Sequence, residues 1–290
     1  MKVEASQPAK ASGEFLLSGV LPVTRLGFGS MRLTGPGVWG DPKDPQEAVR
    51  VLRRAVELGV NLIDTADSYG PVVAEQLIRK ALYPYPEDLV IATKAGLTRS
   101  GPNVWRPVGR PEYLRQQAEM SLRNLGLEQI KLFQLHRVDP KVPLEESVGE
   151  LKLLQDEGKI AHVGLSNVDV DQLERARKVA VIASVQNRYN VSDRASEPVL
   201  DQAEISGMGF IPWFPLATGQ LAEPGGPLAG LAARHDVTPS QIALAWLLRR
   251  SPCMLPIPGT SSVAHLEEDL ESAFVELSDA EFESVTDAVS

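Results

Sequence analysis

Residues 130–167 read IKLFQLHRVDPKVPLEESVGELKLLQDEGKIAHVGLSN. The first six are mostly apolar without alternation, which suits a short strand buried on both faces. From 144 to 157 apolar residues recur three and four apart, as on an amphipathic helix, and Gly158 closes the pattern. The run 160–165 then repeats the first. Strand, helix and strand in so short a stretch make a parallel crossover unit.

The alternation continues in both directions. Buried-strand runs fall at 24–28, 60–63, 89–93, 130–135, 160–165, 183–186, 209–212 and 254–257, and helical patterns at 46–58, 73–82, 111–125, 144–157, 169–179, 198–205, 239–250 and 263–272. Eight strands alternating with eight helices predict an α/β fold, a closed (β/α)8 barrel of the TIM type. A doubly wound open sheet is the competing arrangement. Residues 15–21, FLLSGVL, read as an N-terminal β-hairpin turning at Ser18-Gly19, placed to plug the barrel bottom. Residues 277–288, LSDAEFESVTDA, read as an extra C-terminal helix capped by Ser278.

At 290 residues with 43% hydrophobic content, and with no Ser/Gly-rich linker or charge block, the chain reads as a single domain. Residues 1–13 read as a flexible tail. The net charge of -9, from 29 basic and 38 dispersed acidic residues, argues against nucleic-acid or anionic-membrane partners. A lone cysteine, Cys253, forms no internal disulfide, fits a cytoplasmic protein and sits in an apolar stretch where it is expected buried and inert. No apolar run approaches about 18 residues, so neither export nor a membrane span is expected. His162 and His235 lack metal-ligand spacing, and no metal is expected. The expected partner is a small-molecule carbonyl substrate, with the protein a monomer or weak homo-oligomer.

Four strand ends carry reactive groups: Asp64 and Tyr69 in NLIDTADSYG, Lys94 in LVIATKAG, and His136 in KLFQLHRVDP. In a parallel barrel such ends share one mouth. A Tyr hydroxyl is a poor acid at neutral pH; a neighbouring ammonium favours its phenolate, and a carboxylate holds that ammonium charged. The imidazole then meets the substrate oxygen. The set suits protonation of an alkoxide forming from a carbonyl. Blander roles exist: Asp64 as a loop cap like Asp67, Tyr69 as a packing aromatic, His136 as a core histidine, Lys94 as a Schiff-base lysine. Lys94 is hardest to explain blandly, because a buried lysine is costly unless paired. Trp246 is assigned to packing.

Eight segments, GFGSM (27–31), DTADSYG (64–70), ATK (92–94), LHRVDP (135–140), GKIAHVGLSN (158–167), VQNRYN (185–190), PWFPL (212–216) and IPGTSS (257–262), resemble in order the aldo-keto reductase family. The resemblance spans residues 14–287. It implies the family's barrel, a nicotinamide cofactor bound without a Rossmann fold, and a catalytic tetrad of Asp64, Tyr69, Lys94 and His136. The implied reaction is reduction of an aldehyde or ketone by NADPH, with NADH a weaker alternative. A cofactor-binding regulatory or sensor subunit is the other reading.

By the same resemblance Ser166, Asn167 and Gln186 hold the nicotinamide carboxamide. Trp213 stacks on the ring where relatives usually have Tyr or Phe. Gly29, Ser30 and Met31 line the cofactor, as do Phe214, Pro215, Leu216, Gly219 and Leu221, whose loop brings backbone N–H groups to the pyrophosphate. Ile257, Gly259, Thr260, Ser261, His265, Glu268 and Asp269 surround the adenosine end. Gly259 and His265 replace the Lys and Arg that pair with the 2′-phosphate in many relatives. Thr260, Ser261 and Ser262 offer hydroxyls and free N–H groups at a helix start instead. Asp269 stands where the family usually has Asn.

Trp39 in the first loop and Trp105 in the third, which also brings two arginines, are candidate walls for an aromatic aldehyde, or simple loop anchors. GPGVWG and AEQLIRKALYPYPEDLVIATK are similar to the bacterial branch with pyridoxal-reductase-like members, making pyridoxal the leading substrate.

Overall fold

Neighbouring residues of a strand face opposite ways, and in the central parallel strands of this chain both ways are buried. In the computed structural model, which describes residues 7–216 and 225–288, a hairpin of β1 (Glu14–Leu17) and β2 (Leu21–Thr24) precedes the main sheet. Seven parallel strands follow, in the order β3 (Phe28–Gly29), β4 (Leu62–Asp64), β5 (Val90–Ala95), β8 (Ile130–Leu135), β9 (Ile160–Ser166), β10 (Ile182–Arg188) and β11 (Gly209–Trp213). A second hairpin, β6 (Leu97–Arg99) and β7 (Trp105–Pro107), lies between β5 and β8 in the chain.

The eighth run, 254–257, departs from the expected ladder strand. Pro252, Pro256 and Pro258 have no N–H to donate, yet the run closes the ring. Phe210 N donates to Cys253 O and Leu255 N to Phe210 O, both at 2.8 Å; on the other side Gly27 N donates to Pro256 O (2.9 Å) and Gly29 N to Pro258 O (3.1 Å). The backbones nearly touch there: a Cβ on Gly259 would lie 2.6 Å from Gly29 O.

Outward-facing residues such as Ile63, Ile91, Phe133, Val163 and Val185 pack against the helices. Inside the barrel lie Leu62, Val90, Ala92, Leu132, Ile211 and Leu255, joined from below by Leu17 and Val23 of the hairpin, which is therefore the expected plug. Its turn has Ser18 and Gly19 at φ 51° and 71°. Two residues further up the inward rows stand Asp64, Lys94, Gln134 and Trp213, so the barrel is apolar at its base and polar at its mouth.

The helices are α2 (Pro45–Glu57), α3 (Val73–Leu82), α4 (Pro111–Leu125), α5 (Leu144–Asp156), α6 (Val170–Arg177), α7 (Glu197–Ile205), α8 (Ala229–His235), α9 (Pro239–Arg250), α10 (Val263–Glu271) and α11 (Asp279–Ala288). In α11, Ser278 and Glu281 cap each other: Ser278 N donates to Glu281 Oε2 (2.9 Å) and Glu281 N to Ser278 Oγ (3.4 Å). Phe282 stacks on Trp246, with ring centroids 5.5 Å apart.

Other expectations change as well. The first barrel strand is Phe28–Gly29 rather than 24–28, because Thr24 ends the hairpin, its N and Oγ1 both donating to Asn61 Oδ1. Residues 8–13 are docked rather than a tail: α1 (Pro8–Ala11) buries Ala9, whose N donates to Leu58 O at 3.2 Å, and Ser12 Oγ accepts from Leu26 N at 2.9 Å. The third loop is the β6–β7 hairpin, and α8 had no sequence counterpart; both are too short to carry a clear period. Among the described residues no helix is long and apolar enough to cross a membrane.

Candidate active site

Lys94 is fully buried at the mouth end of β5, and its ammonium has three protons to place. It donates to Asp64 Oδ2 at 2.7 Å, to Thr65 O at 2.8 Å and to Tyr69 Oη at 3.4 Å. Asp64 Oδ1 accepts from Gln186 Nε2 at 2.8 Å, so both carboxylate oxygens are engaged. Asp64 therefore is no loop cap. His136 stands edge-on to Tyr69, with ring centroids 5.8 Å apart, and shares a 3.3 Å hydrogen bond between Nδ1 and Ser68 Oγ. The four groups meet, as their strand-end positions require.

Electrostatics refine their states. Burial pushes the Lys94 ammonium down, but Asp64 and then Tyr69 more than offset it, so it stays charged. Burial raises Tyr69 and outweighs the opposing pull of Lys94. The expected net lowering by the ammonium is thus reversed: the phenol is held protonated. Burial first, then Lys94, Arg137 and Arg99, hold His136 well below its ordinary range, as a neutral imidazole. Asp67, expected as a loop cap, is buried with Oδ1 unpartnered among the described residues; burial and then Glu75 push it well above the carboxylate range, although it also contacts Ser68.

The expected carboxamide cluster is assembled beside this group. Asn167, in the left-handed region at φ 58° that Asn tolerates, accepts from Trp213 Nε1 (3.1 Å) and donates to Ser166 Oγ (2.8 Å) and His136 O (3.2 Å). Among the described residues these bonds leave the Ser166 hydroxyl proton and Gln186 Oε1 free. One free donor and one free acceptor match a primary carboxamide, so the residues fit the nicotinamide end. Ser30 Oγ, next to Gly29, is buried with no partner among the described residues, and Met31 packs beside Tyr69. Phe214 has φ 69° and Asn190 Nδ2 donates to its carbonyl at 3.1 Å; Pro215 is buried and Leu216 packs on the outer core. Gly219 and Leu221 lie outside the described residues.

The adenosine end differs from expectation. The N–H groups at the start of α10 are partly taken: Ser262 N donates to Thr260 Oγ1 (3.1 Å) and Val263 N to Glu47 Oε1 (3.2 Å). A carboxylate from α2 thus takes the Val263 N–H next to the expected phosphate donors, a contact that no local pattern announces. Glu268 faces α9 rather than open space, accepting from Thr238 Oγ1 at 2.8 Å, and its carbonyl accepts from Gln241 Nε2 at 3.0 Å. Asp269 is buried, while Ser261 and His265 are exposed. A cation does stand at this rim: the Cγ of exposed Arg32 lies 3.7 Å from the Cβ position of Gly259. Ile257 faces the barrel interior.

Trp105 stands edge-on to both Tyr69 and His136, at 6.4 Å between centroids in each case. Trp39 is at the rim, 36% exposed. Cys253 is buried, and burial raises its thiol. Among the described residues no cluster of three or more His, Cys, Asp or Glu could hold a metal ion. Sequence reasoning missed Ser68 and Glu47, whose partners lie far off in the chain.

A sequence profile of the aldo/keto reductase family matches residues 25–290. An uncharacterised oxidoreductase of Schizosaccharomyces pombe is 52% identical over 264 residues, 91% of this chain and 86% of its own length. The pyridoxine 4-dehydrogenase of Escherichia coli is 44% identical over 286 residues, 97% of this chain and 99% of its own. Among solved structures, a glycerol dehydrogenase from Gluconobacter oxydans superposes with a TM-score of 0.86 at 28% identity, covering 96% of this chain and 95% of that one. The chain belongs to the aldo/keto reductase family and is an NAD(P)H-dependent oxidoreductase.

Proposed function

We propose that the protein reduces an aldehyde, with pyridoxal the leading candidate, to the corresponding alcohol. NADPH supplies the hydride when bound, with NADH a weaker alternative. The observation that carries the reading is the buried Asp64–Lys94–Tyr69 chain. Because Tyr69 Oη accepts from Lys94, its own proton points elsewhere and is available to a substrate oxygen. As that oxygen gains negative charge it becomes more basic than the phenolate, and the proton passes to it. The phenolate left behind is met by the Lys94 ammonium, which Asp64 holds charged. His136, neutral and oriented through Nδ1 by Ser68, offers its other ring nitrogen to the same oxygen. Ser166 and Gln186 would hold the carboxamide of the bound cofactor, Asn167 fixes Ser166 and Trp213, and the Trp213 indole would pack on the nicotinamide.

Pyridoxal is supported by the name of the E. coli relative and by the aromatic wall of Trp105. Arg32 beside Gly259 supports recognition of a 2′-phosphate; Glu47 opposes it, so discrimination against NADH is modest. The test is a panel of aldehydes including pyridoxal, with NADPH or NADH, followed through cofactor absorbance. Pyridoxal-dependent consumption, faster with NADPH, is expected. Cofactor binding without consumption of any aldehyde would contradict the proposal and return the sensor reading.

A further inference from the structure

Arg99, half-buried at the end of β6, has five N–H groups, and backbone carbonyls take all of them. Nε donates to Val104 O at 2.9 Å. Nη1 donates to Val38 O and Ser68 O, both at 2.8 Å, and Nη2 to Gly37 O at 2.9 Å and Gly101 O at 3.4 Å. These acceptors belong to three separate segments: the first loop, the segment leading to Tyr69, and the β6–β7 hairpin. The guanidinium also lies over the Trp105 ring, 3.5 Å from its centroid, and 5.7 Å from that of Trp39. The same segments interlock without it: Gly37 O accepts from Asn103 N (2.9 Å) and Gly70 O from Gly40 N (2.9 Å).

With no donor left, Arg99 cannot bind a substrate carboxylate. What it can do is fix Trp105 edge-on to Tyr69 and His136. We propose that Arg99 is the specificity-determining positioning residue of the pocket, pinning Trp105 and Trp39 into an aromatic wall that favours flat aromatic aldehydes over aliphatic ones. The proposal rests on the reading of the mouth as a carbonyl-reducing site. Lys could keep the charge but supplies only three donors and no planar stacking surface.

The test compares pyridine-4-carbaldehyde with butanal in the full-length protein with NADPH. Arg99→Ala should lower the preference for the aromatic substrate, as a ratio of kcat/KM values, by about tenfold, the size of one well-oriented aromatic contact. The loss should fall mainly on KM, and Arg99→Lys should not restore it. Because Arg99 acts through Trp105, adding Arg99→Ala to Trp105→Ala should change the preference little further. Equal losses for both aldehydes, rescue by Lys, or additive effects would overturn the proposal. If Arg99→Ala does not fold, Trp105→Ala alone must show the loss, and an unchanged preference overturns the idea. If the wild type reduces neither aldehyde, the reductase reading fails separately. Binding of pyridine-4-methanol, followed through tryptophan fluorescence, then decides: weaker in Arg99→Lys supports the proposal, and unchanged contradicts it.

Discussion

Lys94 Nζ donates to Asp64, Thr65 and Tyr69 at 2.7, 2.8 and 3.4 Å, and the last of these bonds leaves the Tyr69 hydroxyl proton for another partner. A buried ammonium is tolerated only while its counter-charge remains. Asp64→Asn keeps the size of the side chain and removes that charge. Stability should then drop by about 3–5 kcal/mol, read as a lower urea midpoint. A midpoint equal to the wild type would show that Asp64 does not hold Lys94 charged. The polar residues at the strand ends were legible because a charged group after an apolar run needs a reason. Ser68 and Arg99 were not, because what identifies them is a partner across the mouth. The direction of the Tyr69 shift was also hidden: an adjacent ammonium can be inferred from spacing, but burial, which outweighs it, cannot.

At the level of elements, α10 carries the clearest departure from expectation. The Glu47 carboxylate of α2 accepts from Val263 N at its start, Glu268 turns to α9, and Asp269 is buried. Burial first and Glu268 second push the Asp269 carboxyl up to about 7. Between the ordinary carboxylate range near pH 4 and about pH 7, the folded chain keeps this proton while the unfolded chain releases it. The unfolded state binds fewer protons there, so this group makes stability fall as pH rises across that window and level off above it. Asp269→Asn removes the penalty. It should stabilise the ligand-free protein by roughly 4 kcal/mol at pH 8 and by little at pH 4, read from thermal unfolding. A gain independent of pH would show that Asp269 does not titrate in this way. The periodicity of α3, α4 and α9 located those helices to the residue. The closing run 254–257 was legible as apolar but not as a strand without a ladder, because its prolines remove donors that a periodicity count ignores.

For the whole molecule, the alternation of apolar runs with helical patterns was sufficient for the barrel. The inward rows of β4, β5 and β8 run from apolar residues such as Leu62, Ala92 and Leu132 toward the base, sealed by Leu17 and Val23, to Asp64, Lys94 and Gln134 at the mouth. That layering turns sequence-distant strand ends into one site, and it is why the four groups were legible while their surroundings were not. The β6–β7 hairpin, the docked residues 8–13 and the salt bridges between helices depend on closure of the chain on itself. The central claim is that Tyr69 delivers the proton in a carbonyl reduction. The measurement that tests it most directly is single-turnover reduction of pyridoxal by NADPH-loaded Tyr69→Phe protein, beside the NADPH dissociation constant of the same variant. Tight NADPH binding with a turnover rate at least about a hundredfold below wild type, as expected on losing a positioned general acid, is the predicted result; a rate that survives the loss of the hydroxyl would contradict it.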